Sequence, residues 1–249
     1  MICTYDNCHE VESSAHNAKY CQSCKCYRKA ESKRKNLNRP LEYNEEVWQL
    51  EEVRKQALAD KHREKNRWII KNKTLAFFDI ESSNLNANFG EILCASIKPL
   101  GGKVRSFVQN PKDLSDKTVT LEIAQALSEY DYVLTWYGTK FDVPFLTTRL
   151  MANGHPGLGF IKHKDLYYTA RFRLKLNSNR LAVVTEFMFG KTQKTRILPE
   201  IWMKALRGDQ NSMNYIVDHC ERDVKELEKV FRKFETMSEM QSVPLRWYG

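Results

Sequence analysis

Beyond Lys73 the apolar positions fall into short runs closed by turn residues. "TLAFFDI", "EILCASI" and "KVRSFVQ" predict three successive strands, with glycines at the intervening turns "FGE" and "LGGK". The spacing changes to a helical period over residues 119–130, returns to a strand at "YVLTWY", and becomes helical again from near Asp142. "DLYYTARF", a short helical stretch at Leu181–Phe189 and a long final helix over 212–236 complete the pattern. "TLAFFDI" is apolar at consecutive positions, so both its faces belong in a core and the strand belongs inside a sheet. These elements predict an α/β domain, with a mixed sheet that opens as a three-strand meander and carries flanking helices.

The upstream part reads differently. Residues 41–70 are mostly charged, with Val47, Leu50, Val53 (or Arg54), Ala57 and Leu58 at helical spacing and Pro40 ahead of them. That predicts a basic helix, either presenting Lys and Arg to a polyanion or serving as a solvated spacer. Five of the seven cysteines occupy the first 26 residues. Cys3 and Cys8 form one pair and Cys21 and Cys24 the other, with twelve residues between the pairs. Two such knuckles supply the ligands of a tetrahedral zinc site in a segment too short for its own core. His9, His16 or Cys26 could replace one ligand, and a metal-free, thiol-bearing tail is the alternative. The expected organisation is a zinc-finger-like module over 1–36, a basic helical linker over 37–72 and the α/β domain over 73–249.

The formal charge of +9 changes the picture of partners. It favours a polyanion, with nucleic acid ahead of an anionic membrane. No uncharged apolar run approaches the ~20 residues of a membrane span. The opening "MICTYDNCHE" lacks the basic-then-apolar order of a signal peptide. A reducing, cytoplasmic compartment is expected, where clustered cysteines hold metal rather than disulfides.

Acidic residues interrupt the pattern at three places. In "LAFFDIES" the apolar run ends on Asp79 and Glu81, which share one face of a strand about 6.5 Å apart; like charges there repel unless something positive lies between them. In "YGTKFDVPFL" Asp142 follows a strand and a glycine turn, a position that suits an N-cap, a metal ligand or both. In "YIVDHCERDVKELEKVF" Ile216, Cys220, Val224, Leu227 and Phe231 make an inward stripe, and His219 and Asp223 fall within it one turn apart. A buried imidazole and carboxylate need partners, which a structural His–Asp pair or a reactive site would supply.

Together the three stretches resemble the DEDD (DnaQ-like) superfamily of 3′–5′ exonucleases, whose fold is RNase H-like. "FDIES" matches the first motif with Asp79 and Glu81, "GTKFD" the second with Asp142, and "HCERDV" the third with Asp223. "DLYYTARF" and "LAVVTEFMFG" between the last two motifs resemble the YprB-type branch. The likeness runs from about Lys73 to Thr236 and leaves the cysteine segment and the basic helix outside it. Two positions depart from the family's pattern. Tyr137 stands where an Asn often precedes the glycine of the second motif. In the third, the family carries a Tyr four residues before the Asp or a His five before; here His219 is four before and Asp218 five before.

The resemblance implies a phosphodiester hydrolase acting on 3′ ends, single-stranded ones in the first instance. Two Mg²⁺ (or Mn²⁺) held by Asp79, Glu81, Asp142 and Asp223 would activate water and steady the leaving 3′ oxygen. Glu81 would orient the nucleophile, and His219 would take its proton. Lys140, Arg149, Arg171, Arg173, Arg180, Lys191 and Lys194 are candidate phosphate contacts, with DNA ahead of RNA. Phe145, Tyr167 and Tyr168 are candidates for base stacking or for the core. Two other readings stay open: a nucleic-acid-binding or recruiting module with little catalysis, and a structure-selective endonuclease on the same fold.

Overall fold

The computed structural model describes residues 45–110, 112, 115–192 and 197–240, together with Ser32. The cysteine set Cys3, Cys8, Cys21 and Cys24, and also Lys194, lie outside the described residues. The chain divides into two units, Met1–Val53 and Arg54–Gly249. In the first, residues 45–53 are the opening turns of helix α1 (Glu45–Asn72), on which Leu50 and Val53 are exposed.

The second unit is organised by strand β1 (Leu75–Ser82), whose two faces are filled by different helices. It pairs antiparallel with β2 (Ile92–Pro99), which pairs antiparallel with β3 (Arg105–Val108). On its other side β1 pairs parallel with β4 (Tyr132–Thr135), and β4 with β5 (His163–Asp165). The sheet order is therefore β3-β2-β1-β4-β5, a meander extended by two parallel strands. Between β3 and β4 runs helix α2 (Lys117–Leu127), and between β4 and β5 helix α3 (Asp142–Ala152). After β5 come α4 (Leu166–Arg173), α5 (Leu181–Phe189), α6 (Pro199–Leu206) and α7 (Gln210–Met240).

Strand alternation assigns the faces. Ala76, Phe78 and Ile80 pack with Ile123 and Leu127 of α2 and with Leu146 and Leu150 of α3. Leu75 and Phe77 pack with Ile69 of α1 and with Val224, Leu227 and Phe231 of α7. The Phe77 and Phe231 rings lie 5.6 Å apart. Asp79 and Glu81 continue this second face, so the carboxylates sit where the apolar seam between β1 and α7 ends.

Helix α1 lies where the apolar spacing predicts a helix; on it Leu50, Val53 and Leu58 are exposed, while Ala59, Asn66 and Ile69 are buried. Its last turns meet the core through Ile69. Arg149 is not available for phosphate. Its Nε and Nη2 each donate to Asp116 at 2.8 Å, and its Nη1 donates to the Ala87 carbonyl. Asp116 is itself buried and also accepts from the Ile92 N–H and from Asn153. Burial alone would raise its pKa, and the bonds from Arg149 and Asn153 outweigh that and hold it below the usual value. Of the two roles open for Phe145, base stacking or core, the structure has the core: it is 4% exposed and packs under α2 and α3. Among the described residues no helix is long and apolar enough to cross a membrane.

Candidate active site

Two elements build one wall of the site. β1 contributes Asp79 and Glu81 at its end, and α7 contributes His219 and Asp223 from the same inward stripe as Ile216, Cys220 and Val224. The four line an open cleft of about 960 Å³, which Trp136, Tyr137, Tyr167, Arg180 and Trp202 also line. His219 Nε2 lies 3.5 Å from Glu81 Oε1 and 3.9 Å from Asp223 Oδ2, so the imidazole joins the strand carboxylate to the helix carboxylate. The Cys220 thiol, one residue along α7, donates to Asp79 Oδ2 at 3.4 Å. Burial first, then the neighbouring Cys94 thiol and the charges of Asp79 and Glu81, push Cys220 well above its usual pKa, which keeps it a neutral donor.

Asp142 starts α3 and stands just behind this wall, 3% exposed. Its Oδ1 accepts from the Ile80 N–H at 3.0 Å, between Asp79 and Glu81 in the chain. Burial, reinforced by the charges of Asp165 and Asp223 and opposed by the Ile80 N–H, pushes its pKa up to about 7. The oxygen-rich donor set suits a hard divalent cation, which would bring that value down again. Among the described residues no three His, Cys, Asp or Glu side chains already form a metal-binding group.

The raised Asp142 value has a measurable consequence. Between its ordinary 3.8 and about 7, the fold keeps a proton that the unfolded chain has released. The folded state then binds more protons, so metal-free stability declines as pH rises through that window and levels off above it. In EDTA, the melting temperature is expected to fall more steeply over that interval for the parental protein than for Asp142→Asn, whose amide oxygen can still accept from Ile80. Equal slopes for the two proteins contradict this assignment.

The remaining candidates are spread more widely. Lys140, Arg171, Arg180 and Lys191 are exposed, and of these Arg180 lines the cleft. Arg173 is half-buried, and its charge helps lower the buried Lys164 to about 8, an effect led by desolvation. Asp165, which the motifs do not single out, ties together the backbone of two tyrosines that line the cleft. It caps α4 by accepting from Tyr167 N–H, and it also accepts from Tyr137 N–H at 2.8 Å and Thr139 N–H at 3.0 Å. An Asp ahead of "LYYTARF" is a readable helix cap; its reach to a turn 28 residues earlier in the chain is not.

A family model of the RNase H superfamily matches residues 76–235, and the chain belongs to that superfamily. No curated protein matches it. Among solved structures it is similar to the family B DNA polymerase from the hyperthermophilic archaeon Pyrobaculum calidifontis, with 19% identity and a TM-score of 0.53. That match covers 70% of this chain and 26% of the polymerase chain, and at such identity it is a likeness of fold. The mixed five-stranded sheet with its flanking helices is the RNase H-like architecture expected from the motifs.

Proposed function

We propose that the chain is a metal-dependent 3′–5′ exonuclease acting on single-stranded nucleic-acid ends, DNA ahead of RNA. The observation that carries this reading is the convergence of Asp79 and Glu81 from β1 with His219 and Asp223 from α7 on one cleft wall, with Asp142 buried behind them. Asp79, Glu81, Asp142 and Asp223 are the residues that would hold two Mg²⁺ or Mn²⁺. Those ions supply charge neutralisation, a more acidic water and a stabilised leaving oxygen. His219 takes the proton of the attacking water as the new P–O bond forms and the bond to the 3′ oxygen breaks. Glu81 and Asp223 flank its Nε2 at 3.5 and 3.9 Å and would stabilise the imidazolium that results. Arg180, which lines the cleft, would meet a phosphate there, and the exposed Lys140, Arg171 and Lys191 would add further phosphate contacts, in keeping with the +9 charge. A zinc held by Cys3, Cys8, Cys21 and Cys24, as a recruiting module, rests on the cysteine spacing alone.

The test compares linear and circular single-stranded DNA, each with Mg²⁺ and with EDTA. Shortening of the linear strand alone, and in Mg²⁺ alone, is expected. Cutting of circles would make the protein an endonuclease, and binding without cutting would make it a binding module.

A further inference from the structure

Tyr137 is, among the described residues, the only non-glycine with a positive φ, at 69°. A side chain in the left-handed region meets its own backbone, so Gly or Asn usually occupies such a position. The turn does contain a glycine, but it is needed elsewhere. A Cβ on Gly138 would come 2.2 Å from Thr135 Oγ1, so position 138 must be bare and position 137 is left to carry the strained backbone. Several bonds hold it there: Asp165 accepts from Tyr137 N–H and Thr139 N–H, Thr135 Oγ1 accepts from Gly138 N–H at 3.1 Å, and the Tyr137 carbonyl accepts from Lys140 N–H. Strain that surrounding structure over-determines in this way is characteristic of functional sites.

The ring is also unusual in its surroundings. Tyr137 lines the cleft beside the carboxylates yet stays 45% exposed. Its ring packs steeply against Tyr167, with centroids 4.8 Å apart, which fixes its orientation. Tyr167 in turn packs edge-on against Tyr168, which stacks on the exposed Phe172. Arg180 lines the same cleft. An oriented, half-exposed aromatic in a cleft that a cation also lines can bind a nucleotide through its base and its phosphate at once.

We propose that Tyr137 is a stacking platform for a nucleobase at the single-stranded end, with Tyr167 as its support, so that recognition requires an unpaired end that carries bases. This rests on the nuclease reading only for where the end lies. Tyr137 acts in binding and specificity, and stacking tolerates any base because each has a π face.

The test measures equilibrium binding of fluorescent oligothymidylate in EDTA, where no cutting interferes. One form is intact and the other has its two 3′-terminal nucleotides abasic. Asn suits the left-handed backbone, so Tyr137→Asn keeps the turn while removing the ring, and Tyr137→Phe keeps the ring. Tyr137→Asn is expected to bind the intact strand about tenfold to a hundredfold more weakly, the usual worth of one stacked base. It should bind the abasic strand as the parent does, and Tyr137→Phe should resemble the parent on both. Equal weakening on both strands, no weakening at all, or a parent that does not bind would overturn the platform. Mg²⁺-dependent cutting is scored separately on the parent. A parent that cuts without favouring intact ends keeps the nuclease and loses the platform; one that binds with that preference but never cuts does the reverse.

Discussion

Asp79→Asn and Asp223→Asn are each expected to reduce Mg²⁺-dependent cleavage by about a thousandfold or more while leaving the protein folded and able to bind single strands. Transition-state charge stabilisation by a metal is worth several kcal/mol, and each 1.36 kcal/mol is tenfold in rate. Asp79 is half-buried at the end of β1, where an amide oxygen can still accept from the Cys220 thiol, so the strand loses no packing. Asp223 is buried, and its charge is one of those that raise Asp142. Removing that charge relieves repulsion, so the Asp223→Asn protein in EDTA is expected to melt no lower than the parent above about pH 7. Affinity for an oligonucleotide in EDTA should change by no more than roughly threefold, because phosphate contacts dominate it. Purified variants that still cut in Mg²⁺ at the parental rate would remove these carboxylates from the chemistry.

His219→Ala is expected to lower the single-turnover rate by about 10²–10⁴-fold, the usual contribution of a positioned base. The structure accounts for the departure at this motif. Asp218, in the slot where a His five before the acid would stand, is exposed and lies 4.0 Å from Arg222, whereas His219 is buried against Glu81 and Asp223. The inward position on α7 is thus the one four residues before the acid, and His219→Tyr, which restores the Tyr-type residue there, should recover part of the loss. A purely structural His–Asp pair gives another result: both variants lose melting temperature, and the rate falls only in proportion to folded protein. Melting temperature and single-turnover rate on the same preparations separate the two, and a folded His219→Ala that cuts at the parental rate excludes His219 as the base.

The parts of the fold that read directly from the chain are those whose burial is complete. β1 and β2 are buried on both faces and therefore appear as unbroken apolar runs, and α7 shows its stripe because Ile216, Cys220, Val224, Leu227 and Phe231 all face inward. The same clarity exposed His219 and Asp223, because polar residues inside such a stripe stand out. Elements with weak burial signals carry no pattern to read. β5 is the polar tripeptide His163–Asp165, which carries no alternation to read. α6 follows a stretch without a clear period. Side-chain roles that depend on distant partners were equally hidden. Arg149 looked like any other cation until Asp116 claimed it, 33 residues away in sequence. The left-handed backbone of Tyr137 depends on Thr135, Gly138 and Asp165 together, a combination that no local pattern displays.

The polarity of digestion tests the central claim most directly. One single-stranded DNA is labelled at its 3′ end and, in a second preparation, at its 5′ end, and both are followed over time with Mg²⁺ in parallel with Asp79→Asn protein prepared identically. The 3′ label should leave at once as a mononucleotide, the 5′-labelled strand should shorten step by step, and the variant should do neither. Release of the 5′ label first, or identical digestion by parent and variant, would contradict a 3′–5′ exonuclease built on the carboxylates of β1 and α7.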